Sequence, residues 1–449
     1  MSTTVMHEGP KLQFGRGRWI DNWNPENEAQ WQSKGKGIAR RNLAWSMFAE
    51  FLGFAMLAVW GMVVPRLLDV GFQYTVNQMF WLIAMPGLFG AFMRFAYTFA
   101  PPRFGGRNWT IASALLLLIP ATGLAWAVTN PDTPYWLMLT IATTAGLGAG
   151  NFTSSMVNIS FFYPEREKGF ALGLNAAGGN LGTAWVQFTI PIVIITGAGL
   201  ALDRAGLMFI PLIILAAMGA YFFMNNLSSA QSDSKALLMS TADKNTWIMS
   251  FLYIGTFGSF IGYANSFATL MRLEFPEVTT NYVFLGALIG ATIRPLGGWM
   301  SDRYGGARMT LVCFAVMIFG CGGVIWVLFQ DQPSFPLFLT MFLILFAAAG
   351  FGNGTTYRMI PAIFRAQVTD RQTGKVDPTG LVRARRLAGG CIGIAGAIGS
   401  LGAFIIPRVF GTFGIKGGFI VFIVAYIVMI ITLWFFYERR GSALSFARV

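Results

Sequence analysis

Two arginines stand inside stretches that otherwise carry no charge. Arg94 lies in "GAFMRFAY" and Arg294 in "GATIRPLG", and each stands nine residues before another arginine, Arg103 or Arg303. Nine residues of helix extend about 13 Å, which places both guanidinium groups near the middle of a hydrocarbon core about 30 Å thick. Arginine keeps its proton, and burying one costs at least about 2.5–3.5 kcal/mol. Both residues therefore need anionic or strongly accepting partners.

The acidic residues are too few inside the membrane to pair with both arginines. The chain has 19 Asp and Glu residues, and all but Glu50 fall in loops, in tails or at helix ends. An anion drawn from solution would supply the missing charge, so we interpret Arg94 and Arg294 as an anion clamp. The alternative is that both are structural arginines satisfied by backbone carbonyls. A further arginine, Arg358, could face polar groups of its own apolar stretch.

Glu50 is open to three interpretations. It could be a counter-ion that keeps the empty site stable. It could also carry a proton, because burial favours the neutral form of a carboxylic acid while nearby cations favour the charged form. Its third possible role is simple hydrogen bonding inside the helix bundle.

The composition is that of a polytopic membrane protein. Of 449 residues, 55% are hydrophobic and 11% are charged, with a mean hydropathy of +0.57, whereas soluble proteins have about 25% charged residues. The net charge of +13 fits the Lys and Arg that collect in cytoplasmic loops, so we expect no nucleic-acid partner. A single histidine and three scattered cysteines leave no catalytic constellation, metal spacing or cofactor motif. We expect neither an enzyme nor a cofactor.

Apolar stretches of about 20 residues predict an all-α membrane protein with twelve transmembrane helices in two bundles of six. They lie near 43–65, 76–100, 109–129, 135–162, 169–198, 206–227, 247–271, 280–301, 307–330, 334–364, 386–411 and 416–438. The expected domains are an N-terminal segment (1–41), a first bundle (42–227), a polar linker (228–246), a second bundle (247–440) and a tail (441–449).

The basic residues predict the orientation. With the N-terminus inside, cytoplasmic segments hold 24 Lys and Arg and the outer loops hold five. Because cytoplasmic loops carry the excess of positive charge, both termini are expected in the cytoplasm.

The two halves of the chain repeat each other. "GAFMRFAYTFAPPRFGG" (90–106) aligns with "GATIRPLGGWMSDRYGG" (290–306), which pairs Arg94 with Arg294. "GAGNFTSS" aligns with "GFGNGTTY", which pairs Asn151 with Asn353. Transporters built from repeats bind their substrate near the bilayer midplane, at the repeat interface.

Glycines are dense, as in "GFALGLNAAGGNLG" (169–182). Small residues let helices pack closely, and this explains most of them. A thin wall of glycine would also let asparagine side chains approach a small ligand, and Asn175 and Asn180 are plausible donors.

Several motifs resemble those of known transporters. "GGWMSDRYGGAR" (297–308), with Asp302 and Arg303, resembles the loop motif of the major facilitator superfamily, although Pro102 replaces the aspartate in the first half. "GNFTSSMVNISFFYPEREKGFALGLNAAGGNLG" (150–182) and "GFGNGTTYRMIPAIF" (350–364) resemble the signatures of the nitrate/nitrite porter family, NarK type. The matching signature residues are Gly150, Asn151, Gly173, Gly178, Gly352 and Asn353.

The resemblance implies a monomeric transporter of nitrate, and possibly of nitrite, in the lipid of a bacterial cytoplasmic membrane, with its two bundles alternating between inward-open and outward-open states. The positions that match the family's substrate-binding residues are Arg94, Arg294, Asn175, Tyr253 and Phe54. Leu147 stands where some relatives have an aromatic residue. Planar guanidinium groups suit a flat anion with three acceptor oxygens.

Glu50 stands where exchanger-like members of that family have an apolar residue, and it resembles the branch thought to couple nitrate entry to protons. Nitrate import against a negative-inside potential costs about 2.3 kcal/mol per 100 mV, so import requires coupling. We therefore expect nitrate/proton symport. The alternatives are a nitrate/nitrite antiporter, which needs no titratable group, and a nitrate sensor that does not transport.

Overall fold

The computed structural model describes residues 12–196, 199–231, 234–370, 373, 376–439 and 449. The predicted tail at 441–449 lies outside the described residues except for Val449, whose carbonyl accepts a 2.8 Å hydrogen bond from the Ala307 amide. The first 11 residues of the predicted N-terminal segment also lie outside them.

Twelve helical spans, numbered here in chain order, make up most of the molecule. Their bounds are Lys36–Leu67 (span 1), Val76–Thr98 (span 2), Gly106–Leu116 with Leu118–Ala127 (span 3), Tyr135–Thr144 with Leu147–Phe162 (span 4), Glu165–Val193 (span 5), Arg204–Leu207 with Phe209–Phe223 (span 6), Lys244–Tyr253, Ile254–Gly258 and Ser259–Glu274 (span 7), Val283–Tyr304 (span 8), Gly306–Leu328 (span 9), Phe335–Gln367 (span 10), and Pro378–Ser400, Gly402–Leu433 and Trp434–Glu438 (spans 11 and 12).

Spans 11 and 12 form one run of helix divided by a glycine. Gly414 has φ 71° and ψ 175°, a left-handed backbone conformation that residues with a Cβ avoid. In the described part of the chain, nine helical segments have the length and hydropathy to cross a membrane, and the last of them, Pro378–Glu438, contains both of these spans. These nine segments contain ten of the twelve spans. The other two are spans 4 and 5, which are richer in glycine and polar residues. With these two included, the prediction of an all-α protein with twelve membrane helices is confirmed.

Shorter elements connect the spans. The helical ones are Arg16–Arg18, Glu28–Gln30, Trp31–Gly35, Leu68–Val70, Ala100–Phe104, Ser234–Thr241 and Thr280–Tyr282. Trp19–Ile20 pairs in parallel with Asn226–Leu227, and Ile195–Thr196 pairs antiparallel with Gly199–Leu200. The first of these strand pairs joins the N-terminal segment to the end of span 6.

The N-terminal segment, which the sequence predicts only as a polar cytoplasmic stretch, packs on the first bundle. Trp23 and Trp31 are buried. The Trp23 indole donates to the Phe161 carbonyl (3.1 Å), and the Trp31 indole donates to the Glu167 carboxylate (3.0 Å). These tryptophans cover the end of span 4 and the start of span 5, because their rings are apolar while each N–H needs an acceptor.

The two bundles meet most firmly at one face of the molecule, the face reached by the connections between spans 1 and 2 and between spans 7 and 8. We call it the opposite face, and the face that carries the described part of the N-terminal segment and Val449 the terminal face. Arg272 Nη2 lies 2.6 Å from Asp69 Oδ1 of the other bundle, and Arg408 Nη1 donates to Asn77 Oδ1 (2.9 Å). Arg66 Nη2 also donates to Thr280 Oγ1 of the other bundle at this face (3.3 Å).

Candidate substrate-binding site

Arg94 is buried at mid-depth inside a cage of aromatic rings. Its side chain belongs to span 2 and the residue is 1% exposed. The guanidinium carbon lies 4.7 Å from the ring centre of Phe152, 5.2 Å from that of Phe257 and 5.9 Å from that of Phe54. A desolvated cation–π contact contributes about 2 kcal/mol, so the rings offset part of the cost of burying this charge.

The hydrogen bonds of Arg94 are incomplete. Nη1 donates to the Gly396 carbonyl of span 11 at 3.3 Å. Nε and Nη2 are buried and have no acceptor among the described residues. The alternative that backbone carbonyls satisfy Arg94 therefore holds for one nitrogen of the guanidinium. The other two nitrogens remain free to donate to another partner.

Arg294 occupies the matching place in span 8. Its guanidinium carbon lies 5.7 Å from the ring centre of Tyr357. Nη1 is buried without an acceptor in the described part of the chain, although the residue as a whole is only half-buried. Arg94 interacts electrostatically with Arg294, and Glu50 interacts with both arginines. The structure thus brings the two sequence-predicted arginines and the buried acid together between the bundles.

Tyr253 lies beside the arginines at an irregular turn of span 7. Its hydroxyl donates to Asn353 Oδ1 at 2.8 Å, and its ring stacks on Phe257 with the centres 5.1 Å apart. The turn that follows, Ile254–Gly258, is a π-helix, an irregularity that is frequent at functional sites.

Glu50 is held by polar side chains of spans 4 and 5. Asn175 Nδ2 donates to Glu50 Oε2 at 2.6 Å and also lies 2.6 Å from Ser155 Oγ. Ser155 Oγ lies 3.0 Å from Ser46 Oγ. Glu50 Oε1 has no partner among the residues that the structure describes, and Gly179 lies so close that a side chain there would strike the carboxylate. Asn175, expected at the substrate, thus contacts the acid.

The signature residues fix the packing around this site. Side chains added at Gly150, Gly178 and Gly352 would meet Tyr97, Met47 and Thr256, respectively. Asn151 Nδ2 donates to the Ala49 carbonyl, one residue before Glu50, at 3.4 Å. Its repeat partner Asn353 binds Tyr253, so the two asparagines tie spans 4 and 10 to spans 1 and 7. Gly173 is exposed with nothing within 4 Å of an added Cβ, and nothing in the structure explains that glycine.

Arg358 does not lie in the apolar interior. Its Nε donates to Asp302 Oδ1, and both side chains are about half exposed, at 53% and 54%. The expectation that Arg358 faces polar groups of its own span is therefore wrong, because span 10 carries it to the terminal end, beside the loop motif. Arg303 of the same motif lies over the Trp299 ring at 5.3 Å.

Three aromatic residues of the site escaped the sequence analysis: Phe152, Phe257 and Tyr357. A signal for one of them exists, since Phe257 follows Tyr253 by four residues, as Phe54 follows Glu50. Residues four apart share a helix face, so the repeat itself predicts Phe257 opposite Phe54. Asn180, a predicted donor, is 1% exposed, and both its amide atoms have no partner among the described residues.

Comparison with known proteins places these features in a family. The model of the Major Facilitator Superfamily matches residues 43–378. The nitrate/nitrite transporter NarU of Salmonella typhimurium is 38% identical over 450 residues, covering 94% of this chain and 96% of that protein. The "probable nitrate/nitrite antiporter NarK2" of Thermus thermophilus is 35% identical over 463 residues, covering 96% and 99%.

Solved structures show the same fold. A D-xylose-proton symporter superimposes with a TM-score of 0.66 over 88% of this chain and 97% of its own, at 15% sequence identity. Identity at that level supports the fold alone.

Proposed function

Since the chain belongs to the major facilitator superfamily and to its nitrate/nitrite transporters, we propose that it imports nitrate together with protons, that Arg94 and Arg294 bind the anion, and that Glu50 carries a proton. The chain is a transporter and not an enzyme. The residue roles and the coupling are the proposal.

The unpartnered nitrogens of Arg94 support the nitrate site best. Two buried donor nitrogens of an always-charged group lie among the rings of Phe54, Phe152 and Phe257 and have no acceptor among the described residues. A planar guanidinium matches a planar anion with in-plane oxygens, and aromatic faces exclude water from a weakly hydrated ion. Arg294 adds a second cation from the other bundle, so one anion between them would touch both halves of the transporter.

Glu50 can link proton binding to anion binding through charge. The two arginines both interact with its carboxylate. An anion bound between them cancels their positive charge and so favours the protonated form of Glu50. By linkage, a proton on Glu50 favours anion binding equally. One nitrate with one proton crosses without net charge and avoids the cost of about 2.3 kcal/mol per 100 mV for the bare anion.

The contact between the bundles at the opposite face supports an assignment of the conformational state of the transporter. The 24 Lys and Arg of the predicted cytoplasmic segments favour the terminal face as the cytoplasmic one. The Asp69–Arg272 ion pair then closes the outer side. We propose that this is the inward-facing state of a monomer in the cytoplasmic membrane.

Reconstituted vesicles test the coupling. We expect nitrate uptake by the purified protein to accelerate when the outside is acidic, to proceed without nitrite inside, and to lose its response to the pH gradient in Glu50→Gln. Glu167→Gln, an acid at the terminal face, should behave as wild type. Uptake that requires internal nitrite, ignores the pH gradient and survives Glu50→Gln would contradict symport.

Nitrate/nitrite antiport is the second candidate, and the name of the Thermus relative favours it. Exchange of two monovalent anions between the same arginines needs no titratable group. Glu50, which accepts a hydrogen bond from Asn175, would then offset the positive charge of the arginines while one anion leaves the site and the other binds. Antiport therefore predicts uptake that requires internal nitrite, ignores the pH gradient and survives Glu50→Gln.

A further inference from the structure

A basic cleft lies on the terminal face, away from the substrate site. It measures about 400 Å³ and is lined by Phe14, Arg18, Lys34, Gly37, Ile38 and Arg41. Three of the six lining residues are cations and none is an acid. The N-terminal segment and the first turns of span 1 form it together, so it exists only because that segment folds onto the bundle.

The two arginines of the cleft are incompletely paired. Arg18 Nη1 donates to the Phe222 carbonyl, and Arg41 Nη2 donates to Asn225 Oδ1 at 3.0 Å. The Nε atoms of both are buried and have no acceptor among the described residues. The two charges also repel each other. Like charges held together with unused donors favour an anion as the third partner.

The backbone at Arg18 is strained. Its φ is 62°, and it is the one residue other than glycine with a positive φ in the described part of the chain. That conformation costs an L-residue roughly 1–2 kcal/mol, and such strain concentrates at functional sites. Here it places the Arg18 side chain in the cleft, across from span 1.

The cleft lies at the level where lipid headgroups are expected. Trp45 of span 1 stacks on Phe223 at the end of span 6, with the ring centres 5.6 Å apart and the planes within 4°. Tyr221 and Phe222 are exposed beside them. Aromatic residues gather at the membrane–water interface, and the Arg18 guanidinium donates to the carbonyl of Phe222 within this group.

We propose that the cleft binds the phosphate group of an anionic phospholipid from the cytoplasmic leaflet. Basic pockets beside transmembrane helices on that side suit anionic headgroups. The flanking Phe14 and Ile38 offer apolar contact to the glycerol and the first carbons of the chains.

Native mass spectrometry of the full-length purified protein with phosphatidylglycerol tests this. We expect the double variant Arg18→Gln/Lys34→Gln to bind phosphatidylglycerol at least about tenfold more weakly than wild type, since each basic residue near an anionic surface contributes about 1 kcal/mol. The matched control Lys36→Gln/Arg40→Gln loses the same charge outside the cleft and should bind as wild type. Phosphatidylethanolamine, which is zwitterionic, should bind weakly to all forms.

A second variant separates binding from folding. Gly37→Glu places a carboxylate in the cleft and removes no contact, because nothing lies within 4 Å of an added Cβ there. It should abolish phosphatidylglycerol binding without lowering the melting temperature.

Any of four results would overturn the proposal. They are unchanged phosphatidylglycerol binding in Arg18→Gln/Lys34→Gln or Gly37→Glu, equal loss in Lys36→Gln/Arg40→Gln, equal binding of phosphatidylethanolamine by wild type, and displacement of the lipid by millimolar inorganic phosphate. The last result would assign the cleft to a free anion.

Discussion

Asn175 donates a 2.6 Å hydrogen bond to the carboxylate of Glu50, across 125 residues of sequence. The bond joins span 5 to span 1 at mid-depth, where both residues are fully buried. Asn175, predicted as a substrate contact, is thus also a group that orients the acid. Since Glu50 also interacts with both arginines, Asn175 is linked to the proposed anion site through Glu50.

Removing that bond should alter the response of transport to pH more than the affinity for nitrate. We expect Asn175→Ala to shift the pH dependence of nitrate uptake in vesicles, because the carboxylate loses a donor that stabilises its charged form. Ser155→Ala should shift it in the same direction, because Ser155 donates to Asn175 Oδ1 (2.9 Å) and so holds that donor in place. The apparent KM for nitrate at the new optimum should change little.

Ser154→Ala is the matched control, since Ser154 Oγ bonds only to carbonyls of its own helix among the described residues. An unshifted pH profile with a much raised KM would show instead that Asn175 contacts the anion.

The guanidinium shape of the two central arginines should matter as well as their charge. Arg94→Lys and Arg294→Lys keep a cation but lose the planar fork and, at Arg94, the fit to three rings. We expect nitrate binding, measured by calorimetry on the purified protein, to weaken at least about tenfold, equivalent to about 1.4 kcal/mol. Arg40→Lys, at an exposed position, should bind nitrate normally. Near-normal binding by either central variant would rule out the clamp.

The Asp69–Arg272 pair should stabilise the closure of the opposite face. The two side chains are 21% and 32% exposed, and ion pairs of this kind contribute up to about 1 kcal/mol, so Arg272→Gln should raise the outward-open population a few-fold. Spin labels at Asn130 and Gln332, in exposed loops of the two bundles on that face, would report longer distances.

The charge-swapped double variant Asp69→Lys/Arg272→Glu should return the distances toward those of wild type. Arg204→Gln, which removes a cation from the same face, is the control. Distances that do not change in Arg272→Gln would show that the pair does not hold the two bundles together.

A methyl group at Gly179 should damage the site, whereas one at Gly173 should not. A Cβ at residue 179 would collide with the Glu50 carboxylate, while one at residue 173 meets nothing within 4 Å. We expect Gly179→Ala to lose most proton-driven nitrate uptake and Gly173→Ala to keep it, with both proteins expressed and folded. Equal uptake by the two variants would mean that Glu50 can move aside without consequence.

Several features of the molecule follow from the sequence because their signals are local or repeated. Apolar length predicts the twelve spans, and the charge-free surroundings of Arg94 mark it as unusual. The 200-residue repeat pairs it with Arg294, and the count of acids singles out Glu50. Each of these rests on residues close together in the chain or on the internal alignment of the halves, which needs no knowledge of how the helices rotate against one another.

Other features depend on helix rotation and depth, which sequence spacing does not specify. Asn175 faces Glu50 because Gly179 lets span 5 lie directly against span 1. Phe152 reaches Arg94 only through the packing of span 4 on span 2, and Arg358 leaves the interior because span 10 extends to the terminal face, where Asp302 pairs with it. The polar N-terminal segment becomes part of a basic cleft by folding onto spans 1 and 6. Sequence determined which groups are buried without enough partners, whereas tertiary packing decided their neighbours, because the contacting atoms come from helices separated by tens to hundreds of residues.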